Sequence, residues 1–143
     1  MRQKLRGVIR SVCVVGLLSA SLAPVHADTL FEQIGGAPVL KAAVDDFAKV
    51  ILDDKRINFV FAGTNMDKFK ALIYTQLCQL SAGPCEYHGR DMRTAHAKLK
   101  IDNAQFNALT EDLYVALGHS GVSYRVQNKL IALLAPMQKD IVK

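Results

Sequence analysis

Tyr87-His88-Gly89-Arg90-Asp91-Met92-Arg93-Thr94-Ala95-His96-Ala97-Lys98-Leu99 is the stretch that decides the fold. Gly89 interrupts the chain, and Asp91 suits the N-cap of a short helix, because its carboxylate can accept from free N–H groups of the first turn. On that helix Met92, Ala95, His96 and Leu99 fall at i, i+3, i+4 and i+7, which is one face. The spacing predicts an imidazole held among apolar neighbours. A haem iron asks this of a protein: one neutral nitrogen donor and an apolar wall for the porphyrin. Spacing alone is met more often by a packed or half-exposed histidine, so the rest of the chain must decide.

Outward from this segment, weak signals recur in a specific order. Thr29-Leu30-Phe31-Glu32-Gln33-Ile34-Gly35-Gly36 stands upstream, and Phe59-Val60-Phe61-Ala62-Gly63-Thr64-Asn65-Met66 follows a long helical stretch. Ser81-Ala82-Gly83-Pro84 precedes the histidine segment, and Leu134-Ala135-Pro136 sits near the end. In this order and at these separations, from about Thr29 to Val142, the chain resembles the truncated haemoglobins of the first group. The resemblance implies an all-α fold, a truncated globin-like two-over-two helical sandwich, with non-covalent haem b as cofactor.

Periodicity points the same way without the resemblance. Pro38 suits a first helical turn, after which Leu40, Val44, Phe47 and Ile51 form an apolar stripe ending near Asp53-Asp54. A second helix is predicted from about Asp67 to Leu80, with Phe69, Leu72, Ile73, Gln76 and Leu77 on one face. Asp102 with Gln105 makes a capping-box start for a helix carrying Phe106, Leu109, Leu113 and Leu117, stopped by Gly118 or Gly121. A last helix, about Val122 to Val142, presents Val126, Leu130, Leu133, Leu134 and Met137, bent at Pro136. No segment shows a period of two, so a sheet is not expected.

The resemblance carries roles onto single residues. His96 matches the proximal histidine, the one protein ligand to the iron, and Phe61 matches the aromatic that packs against the porphyrin. Met92, Phe106 and Met137 are either haem-contacting or core. Lys70, Arg93, Lys98 and Lys100 are candidates to meet the propionates, since carboxylates gain from nearby cations. His88 reads as a loop residue and His119 as a helix end. The opposite side departs from the family. Many members carry a tyrosine whose hydroxyl stabilises oxygen, where this chain has Ala48 after Phe47. The facing positions, Phe69 and Ile73, are apolar, and Gln76 lies one turn on. A pocket lined by Phe47, Ala48, Phe69 and Ile73 is expected to be short of hydrogen-bond donors, and Ala82 replaces the first of two glycines common in the family's turn.

The first 27 residues read as a signal peptide and residues 28–143 as the globin domain. Arg2, Lys4, Arg6 and Arg10 form a basic n-region, Val12 to Leu22 an apolar run too short to span a bilayer, and Val25-His26-Ala27 a cleavage site. The implied location is periplasmic or secreted, with no stable membrane insertion. That leader holds four of the 18 basic residues and none of the 13 acidic ones, so the formal charge of +5 falls to +1 without it. The basic balance is a leader effect, and no basic run with interleaved aromatics follows. Nucleic acid is not an expected partner.

Three cysteines become two once Cys13 leaves. In an exported protein Cys78 and Cys85, flanking Ala82-Gly83-Pro84, suggest a disulfide; one buried and one exposed free thiol is the alternative. No C-x-x-C-H sequence calls for covalent haem attachment. The expected partner is a small diatomic gas, O₂, NO or CO, bound reversibly, and no redox partner is named by the sequence. The alternative is a haem enzyme acting in nitric oxide oxidation or peroxide detoxification, although peroxidase-like chemistry wants an acid–base group that is not evident.

Overall fold

The computed structural model describes residues 27–143, and the signal-peptide segment with Cys13 lies, apart from Ala27, outside the described residues. Seven α-helices are described: α1 (Leu30–Ile34), α2 (Gly36–Asp53), α3 (Met66–Leu80), α4 (Met92–His96), α5 (Asn103–His119), α6 (Tyr124–Leu134) and α7 (Gln138–Ile141). Short 3-10 turns at Asn58–Phe61 and Ala135–Met137 complete the path. Among the described residues the only β pairing is an isolated bridge between Ile101 and Val142.

Local chemistry explains the element ends. Thr29 and Glu32 form a capping box at α1, Asn65 caps α3, and Asp102 with Gln105 forms a second box at α5. The helix starting near Pro38 in sequence begins at Gly36. The long C-terminal helix is cut at Leu134, because Pro136 cannot continue the hydrogen-bond ladder and a 3-10 turn intervenes. Leu133, expected inside, is exposed.

The apolar stripes then set the layers. α2 packs on α3 and α5, α5 on α6, and α3 reaches α6, giving two helices over two. Leu40, Ile51, Leu77, Leu117 and Leu130 are fully buried between them. The histidine helix stands apart. It has five residues and buries none of them, and it packs against α7 at the edge.

Cys78 and Cys85 are joined in a disulfide with a Cα–Cα separation of 5.7 Å. It ties the end of α3 to the loop leading to α4. Ala82 holds the turn at φ 61, the left-handed conformation that a glycine adopts more readily. Gly83 follows where a Cβ would lie 2.7 Å from both Cys78 Sγ and the Phe31 ring, so no larger residue fits beside the disulfide.

Candidate haem site

Between the α2–α3 layer and α4 lies a cavity of about 490 Å³. Its far wall is aromatic. Phe61 meets Phe69 edge-on at 5.2 Å between ring centroids, and Phe47 lies 6.3 Å from Phe69. Ile73 continues the wall along α3, and Phe106, Leu109 and Leu113 of α5 close the floor. The near wall carries Met92, Ala95, His96 and Leu99, the face that the i, i+3, i+4, i+7 pattern predicted. The helix itself stops at His96, and Leu99 follows in a turn whose N–H donates to the His96 carbonyl.

His96 is the only histidine lining the cavity among the described residues. Its Nδ1 lies 2.8 Å from the Met92 carbonyl oxygen, and a carbonyl can only accept. Nδ1 therefore carries the hydrogen, and in the neutral ring Nε2 keeps its lone pair for a metal. The other histidines are elsewhere. His88 is exposed, 3.7 Å from Glu86, and His119 ends α5 with Nδ1 2.8 Å from Asp46.

The loop before α4 is built around Tyr87. Its N–H donates to Gln79 at 2.5 Å, and its hydroxyl donates to the Arg90 carbonyl at 2.9 Å. Burial raises the phenol above its ordinary range. A Cβ on Gly89 would sit 2.1 Å from the tyrosine ring, so the ring can fold back only over glycine. Asp91 then caps α4 through Thr94 N–H at 2.9 Å, and hydrogen bonding from Thr94, its side chain first and its N–H second, holds the carboxyl below the usual range.

The cations at the cavity differ from those expected. Lys68 and Arg90 line it; Lys70, Arg93, Lys98 and Lys100 do not. Lys70 is two residues from Lys68 and therefore on another face of α3, where it pairs with Asp45 and Asp67 at 3.2 Å each. Arg93 pairs with Asp140 at 2.6 Å, and Lys100 turns at φ 50. A residue count along α3 would have separated Lys68 from Lys70; Arg90 lies in a loop, where no periodicity applies.

Of the other predicted residues, Phe47, Phe61, Phe69, Ile73, Gln76 and Met92 come together around the cavity, with Phe106 and Met137. Ala48 is buried but lies outside the lining. Tyr74 faces a separate surface groove beside Lys41, Asp45 and Lys70. The cavity's hydroxyls and amides are mostly committed locally: Asn65 and Gln105 cap helices, and Thr110 donates to Phe106. Apolar walls, one imidazole with a free Nε2, and two cations fit a planar, dianionic metalloporphyrin.

Residues 29–143 match the family model for bacterial-like globins. The chain is 33% identical to the group 1 truncated haemoglobin of Tetrahymena pyriformis over 114 residues, 80% of this chain and 94% of that one. The chain belongs to the group 1 truncated haemoglobins. A Nostoc relative in this group is 37% identical over 95 residues, 66% of this chain and 80% of its own. The Fe(III) crystal structure of the Tetrahymena protein superposes with a TM-score of 0.78, covering 80% of this chain and 98% of that one. The haemoglobin of Synechococcus sp. PCC 7002, solved in the cyanomet state with covalently attached haem, superposes at 0.75 with 27% identity over 80% and 98%. The two-over-two sandwich and the haem-binding character of the family follow.

Proposed function

We propose that this truncated haemoglobin is exported and binds a small diatomic ligand (O₂, NO or CO) reversibly at the iron of a non-covalent haem b held by His96. The observation that carries the reading is the imidazole. Among the described residues His96 is the only histidine in the cavity lining, and its Nδ1–H is committed to the Met92 carbonyl at 2.8 Å. Haem, when bound, supplies an iron with one coordination position open to a gas.

The chain's own residues do the rest. The Met92 carbonyl fixes the ring's tautomer and rotation; a carboxylate there would make the nitrogen a stronger donor, and a neutral carbonyl does so less. Phe47, Phe61, Phe69 and Ile73 keep water out on the opposite wall. That wall offers no acid–base group, which favours binding over peroxide chemistry. Lys68 and Arg90, the two cations of the lining, would meet the propionates. Among the described residues the cavity has no second histidine and no free cysteine, which supports a non-covalent cofactor.

Export rests on the leader pattern of residues 1–27 and agrees with a closed cysteine pair. Among the described residues no helix is long and apolar enough to cross a membrane. Fractionation of cells, with sequencing of the processed N-terminus, is expected to find the chain outside the cytoplasm and starting at Asp28. For the site, the test is His96→Ala: it should abolish stable haem uptake, or leave a species rescued by added imidazole. A variant with a wild-type Soret band and CO spectrum would overturn the assignment.

A further inference from the structure

Gln76 is a buried amide with poor partners. It is 8% exposed, and its Nε2 has Met92 Sδ at 3.5 Å and Met137 Sδ at 3.7 Å. Buried Ser81 and Gln127, by contrast, both donate to backbone carbonyls, the first at 2.7 and 3.1 Å and the second at 2.7 Å. A thioether is a weak acceptor, so burying the Gln76 amide against two of them adds little stability for the desolvation it costs. Leucine has similar reach and no amide to desolvate. What the amide provides is position: one NH₂ group has two hydrogens, and two sulfurs on two different elements face it.

Those two elements carry the histidine. Met92 is the first residue of α4, and its carbonyl accepts from His96 Nδ1, so holding Met92 holds the imidazole's rotation. Met137 closes the 3-10 turn that leads directly into α7, and α7 is the element on which α4 packs, with Arg93 bound to Asp140. A methionine side chain has three rotatable bonds and settles only where something fixes it. α4 has no buried residue of its own to supply that restraint.

We infer that Gln76 is a positioning residue, an amide clamp from α3 that sets the orientation of His96 through Met92 and Met137. The inference rests on His96 being the iron ligand. Gln76→Leu keeps the volume and removes both donors. In the purified haem-loaded protein it is expected to speed transfer of ferric haem to an apo-globin acceptor about tenfold, at the low end of what outer partners of a metal ligand contribute. The iron–histidine stretching band of the ferrous protein should shift or broaden in resonance Raman spectra, and amide exchange in α4 should accelerate. Met92→Leu removes one acceptor at conserved volume, and Gln76→Leu added to it should change the band less than it does in the wild type, as expected for coupled residues.

A purely structural amide would lower the melting temperature and leave the Raman band and haem transfer at wild-type values, and that result overturns the clamp. So does full additivity of the two substitutions. If Gln76→Leu does not fold, Met92→Leu alone decides: an unchanged band overturns the clamp and a shifted one supports it. Normal haem binding by His96→Ala would remove the ligand assignment itself, whereas an unchanged Gln76→Leu beside a haem-free His96→Ala removes the clamp alone.

Discussion

The two walls of the cavity are held by different physics. The α2–α3 wall belongs to helices of 18 and 15 residues whose inner faces merge with the core, so burial of Leu40, Phe47, Ile51 and Leu77 fixes it. The α4 wall is a five-residue helix with nothing buried. It is held by tethers: the Cys78–Cys85 bond, the Tyr87 hydrogen bonds, the Arg93–Asp140 pair and the Gln76 contacts. A helix this short has no independent stability in water. Changes on the first wall should therefore read out in ligand kinetics, and changes to the tethers in haem retention and stability.

The largest break is expected at the disulfide. A closed loop this short contributes roughly 2–3 kcal/mol in the chain-entropy model. The double substitution Cys78→Ala, Cys85→Ala should lower unfolding stability by about that amount and speed haem loss, measured by urea denaturation and haem transfer. Intact mass of the exported protein should be two hydrogens below the dithiol value. Two free thiols without reductant would remove the strongest tether from the comparison.

On the buried wall, a donor should change ligand chemistry instead. Because Ala48 lies outside the lining, Ile73 is the better place to add one. A hydrogen bond to partly negative oxygen is worth roughly 1.5–3 kcal/mol, so Ile73→Gln should slow O₂ release about tenfold or more while CO release changes little. Equal slowing of both gases in stopped-flow measurements would mean a steric effect, with no hydrogen bond from the added amide to bound oxygen.

A smaller effect tests the burial-held half. Asp112 on α5 is buried, with Oδ2 unpartnered and Oδ1 3.9 Å from Arg56. Burial, aided by the charge of Asp54, pushes its carboxyl from 3.8 up to about 6. The fold thus favours the protonated acid. Its stabilisation is full below about pH 4 and is lost as pH rises through about 6. Asp112→Asn should flatten that slope and stabilise the protein near pH 8 by about 1–2 kcal/mol. The same gain at about pH 4 as at pH 8 would show that the carboxyl is not the cause. The smallest effect is at the turn before the histidine: Ala82→Gly relieves the φ 61 conformation and should raise stability by about 0.5–1 kcal/mol in thermal denaturation. A loss would show that the methyl packs.

Local order was readable ahead of the structure where few residues encode it. The Asp102–Gln105 box and the Asp91 cap depend on neighbours in sequence, and both begin helices as expected. The inward face of Met92, Ala95 and His96 follows from 100° per residue, whereas Leu99 reaches the same cavity from the turn beyond the helix. The split of the C-terminal stretch and the exposure of Leu133 were not readable, because packing of the last turns depends on α4 arriving from elsewhere.

By itself, the sequence determined the helices, their caps, the one histidine turned toward an apolar face and a cysteine pair close enough to join. These are properties of hydrogen-bond and apolar periods over a few turns. Only the tertiary structure decided which cations reach the cavity, Lys68 and Arg90 in place of Lys70 and Arg93, and that Ala48 falls outside the lining. It also decided that Gln76 turns toward two methionines, 16 and 61 residues away. Partner choice of this kind is set where helices cross, and the crossing depends on burial summed over the whole core.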